Sequence, residues 1–514
     1  MRATAFYLAG FLVVSLTASV DAAPCETLAK LALPHTTITA AEQIPAGAFV
    51  PPGPRPAGAA VPAVYARLPE FCRVTATLAP SSDSDIKVEV WMPISGWNGT
   101  FQAVGNGGWA GTIPYAALAA AVAGGYATAA TDTGHVGGTA AFALGHPEKV
   151  IDFGYRAVHE TTVQAKMVVD AFYGSAPKLS IWNGCSQGGR QGVTEAVRYP
   201  ADFDAIIAGA PAVNGLQMHV GRMAMNRSMN RTTDSAIPRE KYPTIHKALL
   251  NACDARDGVT DGVVENPASC QFDPKVLQCK GQDDASCLTA PQVESARVMY
   301  SGATHPRTGA QLFPGLAAGS ELGWNVIGSP QPLGLATEAF KYVIAKDPAW
   351  EPTRFNAATD FDRAHSIDKD DVLNSSNPDM KAFFSRGGKL LLYHGWSDPQ
   401  VTPLNSISFF NKVIALQGSA VVGKSVQLYM VPGMNHCQGG PGTDTFNKME
   451  AIEQWLKTGT APDRILASHL TNGVADRTRP LCPFGRVAKW NGSGSTDDAA
   501  NFSCVAETSA GTTR

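Results

Sequence analysis

Three residues in this 514-residue chain have the types and surroundings that acyl transfer needs: Ser186, Asp398 and His436. The chemistry requires a nucleophile, a base that takes its proton, and a group that orients the base. Ser186 sits in Gly184-Cys185-Ser186-Gln187-Gly188-Gly189, after the apolar run 179–182 and before a helix-compatible stretch, 190–197. Strand, Gly-x-Ser-x-Gly, then helix is the context of a nucleophile elbow, and the flanking glycines are expected to permit the sharp turn. Each residue also has a plainer reading. Ser186 could cap a helix, Asp398 could start a turn before Pro399, and His436 could be a satisfied loop histidine. The order Ser186, Asp398, His436, with the last two just past apolar runs, is the α/β-hydrolase order and places all three at one sheet edge.

The cysteines add a physical constraint. Cys185 precedes Ser186 and Cys437 follows His436. Bridged cysteines hold their Cα atoms about 5.5–6 Å apart, so a Cys185–Cys437 bond would keep nucleophile and base within hydrogen-bond reach. The alternative is that both flank functional residues by chance and pair elsewhere. There are ten cysteines, an even number, and no Cys-x-x-Cys pair, which argues for disulfides and against a zinc or redox site. Sequence alone does not fix the connectivity.

The elements around these residues alternate between strand and helix patterns from about residue 100 to 211. Segments 72–78 and 86–92 alternate as half-buried strands do. Strand 100–104 runs into Gly105-Asn106-Gly107-Gly108-Trp109, a loop that matches no phosphate-binding spacing and suits an oxyanion loop. Segment 126–131 is a buried strand ending at Asp132 and His135, which are expected to serve neighbouring loops. A helix spans 155–173 and further strands span 205–211, 389–394 and 425–431. A closing helix covers 446–456, and the tail from Thr478 is expected to be loop-rich. The alternation predicts an α/β-hydrolase fold with a mostly parallel sheet. Between 213 and 378 it lapses; Met, Asn and Arg crowd 218–231, and 253–287 is polar and cysteine-rich. The expected organisation is a signal peptide, 1–22; core, 23–212; an inserted lid, 213–378; and core again, 379–514.

Arg2, the short apolar stretch 3–19 and Val20-Asp21-Ala22 read as a secretory signal, so the product is expected to be secreted or periplasmic. No later stretch suits a membrane span. A net charge of -3 gives no nucleic-acid footprint. Residues 51–62 are a Pro/Gly/Ala linker.

The motifs at 184–189, 394–398 and 432–437 resemble those of the tannase and feruloyl esterase family, and the resemblance extends over nearly the whole mature chain. It implies a serine carboxylic-ester hydrolase with Ser186 as nucleophile, His436 as base and Asp398 as orienting acid. It further implies oxyanion N–H groups at Gly108 and Gln187, and His394 lining the substrate pocket. The remaining bridges implied are Cys25–Cys72, Cys253–Cys270, Cys279–Cys287 and Cys482–Cys504. A structural Ca²⁺ in the lid is implied at Asp254, Asp257, Val259, Asp261 and Val263. Three carboxylates and two carbonyls make a hard oxygen cage for that ion, expected to lie away from catalysis. No organic cofactor is needed. The substrates implied are esters of aromatic acids: feruloyl esters first, including those linked to plant polysaccharide, then galloyl esters of polyphenols, or terephthalate monoesters. Segment 339–342 lacks an arginine that could hold a terephthalate carboxylate, which disfavours the last. A non-catalytic binding protein on a hydrolase scaffold is the reading from another class. Neither nucleic acid nor membrane is an expected partner.

Overall fold

The centre of the sheet is built from runs of mostly apolar residues that have no exposed face. The computed structural model describes residues 22–53 and 61–507; the expected signal peptide, except Ala22, and most of the 51–62 linker lie outside them. Nine strands form the main sheet: β1 Thr36–Ile44, β2 Phe71–Leu78, β3 Ile86–Pro93, β4 Thr100–Val104, β5 Ala127–Thr131, β6 Leu179–Cys185, β7 Ala205–Gly209, β8 Lys389–Gly395 and β9 Val426–Val431. Their order is β1-β2-β3-β5-β4-β6-β7-β8-β9. The first three strands and the β3–β5 pair are antiparallel; from β5 through β9 every pairing is parallel. This is the α/β-hydrolase architecture expected from the sequence.

Successive side chains on a strand point to opposite faces, so strands buried on both sides read as unbroken apolar runs. Leu390 and Leu392 join one core with Ile206, Ala208 and Leu428. Their neighbours Leu391 and Tyr393 join the other with Ile207, Tyr429 and Val431. Helices α1 (Tyr115–Ala123), α2 (Ala157–Tyr173), α3 (Gln187–Arg198), α4 (Gly215–Met229), α5 (Pro403–Gln417) and α6 (Lys448–Thr458) are the ones that frame the site. Val168 and Phe172 of α2, Val193 of α3 and Phe409 of α5 cover the first face. Ile452 and Trp455 of α6 cover the second. Each fully buried aliphatic or aromatic side chain here contributes about 1.5–3 kcal/mol.

Between β7 and β8 the chain leaves the sheet for a helical excursion that includes α4, Tyr242–Cys253, Ala290–Ser301 and Ala357–Ser366. It has a core of its own around Met225, Ile245, Met299 and Trp324. It is tied down by two buried arginines. Arg190 of α3 donates to the Val372 carbonyl, and Arg222 of α4 donates to the Gln400 carbonyl.

The tail from Thr478, expected to be loop-rich, carries strands: the end of β12 (Val474–Leu481), which forms a second sheet with β10 (Thr445–Phe446) and β11 (Ile465–Thr471), and β13 (Arg486–Trp490), which pairs with β14 (Phe502–Ala506). The first half of β12 is exposed, so no apolar period announces it. Strand β1, at the sheet edge, is largely exposed and was missed for the same reason.

The glycines of the elbow also act differently from expectation. Neither Gly184 nor Gly188 has a positive φ; Ser186 itself does, at 62°. The glycines are needed because backbones touch. A Cβ on Gly184 would lie 2.5 Å from the Gly188 carbonyl oxygen, and one on Gly189 2.3 Å from that of Gly209. Overpacking of this kind costs about 1–3 kcal/mol, so Gly189→Ala is expected to lower unfolding stability by that amount in chemical denaturation. Gly138→Ala, where a Cβ meets nothing within 4 Å, is expected to change it by less than about 0.5 kcal/mol.

Candidate active site

Strand β6 ends at Cys185, and Ser186 makes the turn into α3. Its left-handed φ is a strained value for a serine, held by the Ser186 N–H donating to the Gly209 carbonyl (2.9 Å) and its carbonyl accepting from Arg190 N–H (3.0 Å). The side chain is thereby lifted off the sheet edge. Asp398 follows β8 and His436 follows β9, so three parallel strands deliver three side chains to one edge.

The sequence-predicted residues meet in hydrogen-bond geometry. His436 Nε2 lies 2.8 Å from Ser186 Oγ, and His436 Nδ1 lies 2.6 Å from Asp398 Oδ2. Asp398 is fully buried, and its Oδ1 accepts the N–H groups of Gln400 (2.8 Å) and Val401 (3.0 Å). Burial alone would raise its carboxyl pKa. The charge of His436 and hydrogen bonds from His394 and His436 outweigh that and hold it well below the usual carboxylate range. The imidazole is thus fixed by an ionised acid at one nitrogen and faces the hydroxyl with the other.

Cys185 and Cys437 are bonded, with Cα atoms 6.0 Å apart. Cys437 has a φ of 65°, so both ends of the serine–histidine pair adjoin strained backbone locked by the same cross-link. The other bridges are Cys25–Cys72, Cys253–Cys270, Cys279–Cys287 and Cys482–Cys504, the pairs that the resemblance implied.

Gly108 and Gln187 line one cleft with Ser186. Gln187 opens α3, where the N–H has no intrahelical acceptor, and among the described residues Gly108 N–H makes no backbone hydrogen bond. The loop carrying Gly108 is fastened to the elbow helix by a reciprocal pair. Asn106 N–H donates to Gln191 Oε1 (3.0 Å), and Gln191 Nε2 donates to Asn106 Oδ1 (3.0 Å). Two N–H groups near the serine at a helix start can receive a developing oxyanion.

His394 is placed otherwise than expected. It is completely buried and does not line the cleft. Its Nε2 faces two acceptors, Asp398 Oδ2 (3.1 Å) and the Val401 carbonyl (2.8 Å), so that nitrogen carries a proton; Nδ1 faces Ser406 Oγ (2.7 Å). It braces Asp398 from behind, because its position on β8 points it into the sheet core. Asp132 and His135 serve their loops as expected. Asp132 accepts N–H groups of Lys87 and Gly134, with burial pushing its pKa up to about 6, and His135 bonds the Trp109 carbonyl.

The cleft is walled by Trp109, Phe153, Leu216, Leu335 and Val401. It also holds Arg222 and His219, which sequence reasoning missed. The only signal was the Arg-rich composition of 218–231; nothing in the spacing says which arginine turns inward. Burial and the Arg222 cation keep His219 well below the ordinary histidine range.

The acidic loop 254–263 is folded on itself. Asp254 accepts N–H groups of Asp261 (3.3 Å) and Gly262 (3.0 Å), Asp257 accepts that of Val259 (2.9 Å), and Asp261 accepts that of Val263 (3.2 Å). Glu265, not anticipated, shares a small cleft with Asp257, Asp261 and Val263, opposite Arg477 and Arg479. Three carboxylates face two guanidiniums in that cleft, a set of hard oxygen donors that suits a divalent cation. The loop, expected to lie away from catalysis, adjoins the scaffold of the triad: Pro432 and Gly442, four and six residues from His436, line the same cleft. Val263 lies beside Gly433 there.

The profile of the tannase and feruloyl esterase family matches residues 72–505. The chain belongs to that family. An uncharacterized esterase of Xanthomonas campestris pv. campestris is 37% identical, over 95% of this chain and 92% of its own. A probable feruloyl esterase B-2 of Aspergillus oryzae is 30% identical, over 93% and 94%. The crystal structure of feruloyl esterase B from Aspergillus oryzae superposes with a TM-score of 0.86 at 28% identity, covering 94% of this chain and 99% of that one. The protein is a carboxylic-ester hydrolase.

Because His394 touches Asp398 and not the cleft, His394→Asn is expected to lower kcat about 10–100-fold with KM little changed, measured by steady-state kinetics on a soluble aryl ester. A changed KM with intact kcat would place His394 against the substrate. The depressed Asp398 carboxyl stabilises the fold above the ordinary carboxyl pKa, and that contribution is lost as pH falls through its folded value. Asp398→Asn is therefore expected to flatten the loss of stability below about pH 4, read from denaturation midpoints, relative to wild type.

Proposed function

We propose that the protein is a secreted serine esterase that cleaves esters of aromatic acids, feruloyl esters foremost. The observation that carries the chemistry is the hydrogen-bonded chain Ser186–His436–Asp398 at the mouth of an aromatic-walled cleft. The acyl preference is supported by the relatives named feruloyl esterase. The export reading is supported by five disulfides and by the Arg2-to-Ala22 segment.

In this reading His436 Nε2 takes the proton from Ser186 Oγ as the oxygen attacks the ester carbonyl carbon. The carbonyl π pair moves to oxygen, which rests on the N–H groups of Gly108 and Gln187. Collapse breaks the bond to the alcohol oxygen, which leaves with the proton from His436. Water then attacks the acyl-serine, giving its proton to His436; the aromatic acid departs and Ser186 regains its hydrogen. Asp398 stays ionised throughout and steadies the imidazolium.

Calcium completes the reading as a structural ion. Asp254, Asp257 and Asp261 with the carbonyls of Val259 and Val263 would hold it, beside the 432–442 loop.

Wild type is expected to hydrolyse methyl ferulate, and Ser186→Ala to lose at least about 10³-fold in kcat, read by chromatography of released ferulate. No hydrolysis of methyl ferulate, methyl gallate or a terephthalate monoester by folded enzyme would refute the reading. Chelation is expected to lower the melting temperature, restored by Ca²⁺ but not by Mg²⁺, in scanning calorimetry.

A further inference from the structure

Gln187 has a second role available to it, through its side chain. The residue is buried, lines the cleft beside Ser186, and its Nε2 has no hydrogen-bond partner. An unpaired buried amide donor is costly, so its persistence in a substrate cleft asks for an occupant.

The direction of that amide is fixed. Its Oε1 accepts from Arg190 Nε at 2.9 Å. The remaining donors of Arg190 are spent on the Val372 carbonyl, Ser375 Oγ, the Phe153 carbonyl and the Gly154 carbonyl. A flip of the Gln187 amide would set its NH₂ against a guanidinium N–H, donor against donor, with nothing else for that N–H to use. Arg190 is itself buried, so water does not offer an alternative.

A second donor group lines the same cleft. Arg222 is buried and gives Nε and Nη2 to the Gln400 carbonyl (2.9 and 2.5 Å) and Nη1 to His219 Nδ1 (3.3 Å). A guanidinium has five N–H groups, so two are left over. Among the described residues no carboxylate lies within ion-pairing distance of it. The cleft thus presents an amide donor, and a guanidinium that feels the charge of Asp398 but makes no direct ion pair, to whatever lies between Trp109 and Val401.

We propose that Gln187 Nε2 and Arg222 are specificity determinants that read an oxygen acceptor on the ring of the acyl group. This rests on the aromatic-ester reading and adds which aromatic acids are preferred: ring-oxygenated over bare, and anionic over neutral. The same chemistry is offered by a hydroxyl or methoxy oxygen and by a second carboxylate. A site built to pair with an oxygen rejects the analogue that lacks it, because its own donors are then left bare.

The test is kcat/KM for two pairs of esters: methyl ferulate against methyl cinnamate, and monomethyl terephthalate against methyl benzoate. Wild type is expected to favour the oxygenated member at least about tenfold in each pair, with the wider margin for the anion. Gln187→Glu keeps the acceptor that Arg190 needs and replaces the donor by a negative charge. It is expected to shrink both ratios toward one, the terephthalate ratio most. Ratios cancel any general loss of turnover; should turnover be too slow, calorimetric binding of free ferulate and cinnamate to the folded variant supplies the same comparison. Equal rates within both pairs in wild type, or ratios unchanged in Gln187→Glu, would overturn the inference and leave the esterase reading standing. Failure of wild type to cleave any of the four would overturn both.

Discussion

The Cys185–Cys437 bond is the constraint on which the site depends. It joins the residue before Ser186 to the residue after His436 across 252 positions of sequence. Closing a loop of that length removes up to about 5 kcal/mol of unfolded-chain entropy, less any native strain. Its positional effect is greater for function. Ser186 and Cys437 both stand in left-handed backbone that a side chain disfavours. Neither conformation would persist without surroundings that over-determine it. The bond, the glycine contacts of the elbow and the Gly209 carbonyl do so together.

The loop closed by this bond contains the entire helical insertion, so the lid hangs from the active site as much as from the sheet. The lid also reaches back at three places. Arg190 holds its C-terminal arm, Arg222 grips the loop after Asp398, and the acidic segment around Asp261 lies against the loop that leads to His436. Each contact joins the lid to a residue within six positions of a triad member. Acyl pocket and catalytic geometry are therefore mechanically one unit.

Much of this was legible in the sequence because its causes are local. Apolar runs such as 389–394 are strands buried on both faces, and a serine turn after such a run has few places to go. The Cys-Ser and His-Cys neighbours carried the long-range pairing that periodicity never reveals. What escaped has a different physics. Strands β1 and β12 are half exposed, so their packing leaves no pattern. The resemblance placed His394 in the cleft, yet strand alternation turns it into the core behind the acid. Arg222 is one arginine among several on α4 or close to it, and only the docking of that helix on Gln400 selects it. The elbow glycines were anticipated for the wrong reason: close backbone approach, not positive φ, requires them.

The most direct measurement is the rate at which an active-site-directed organophosphonate labels Ser186, in the native protein and in the Cys185→Ala/Cys437→Ala variant, with folding of both checked by circular dichroism. If the cross-link sets the serine–histidine geometry, the label is on Ser186 alone, and the folded variant reacts at least about 100-fold more slowly. Equal labelling rates, or label on another residue, would contradict the account.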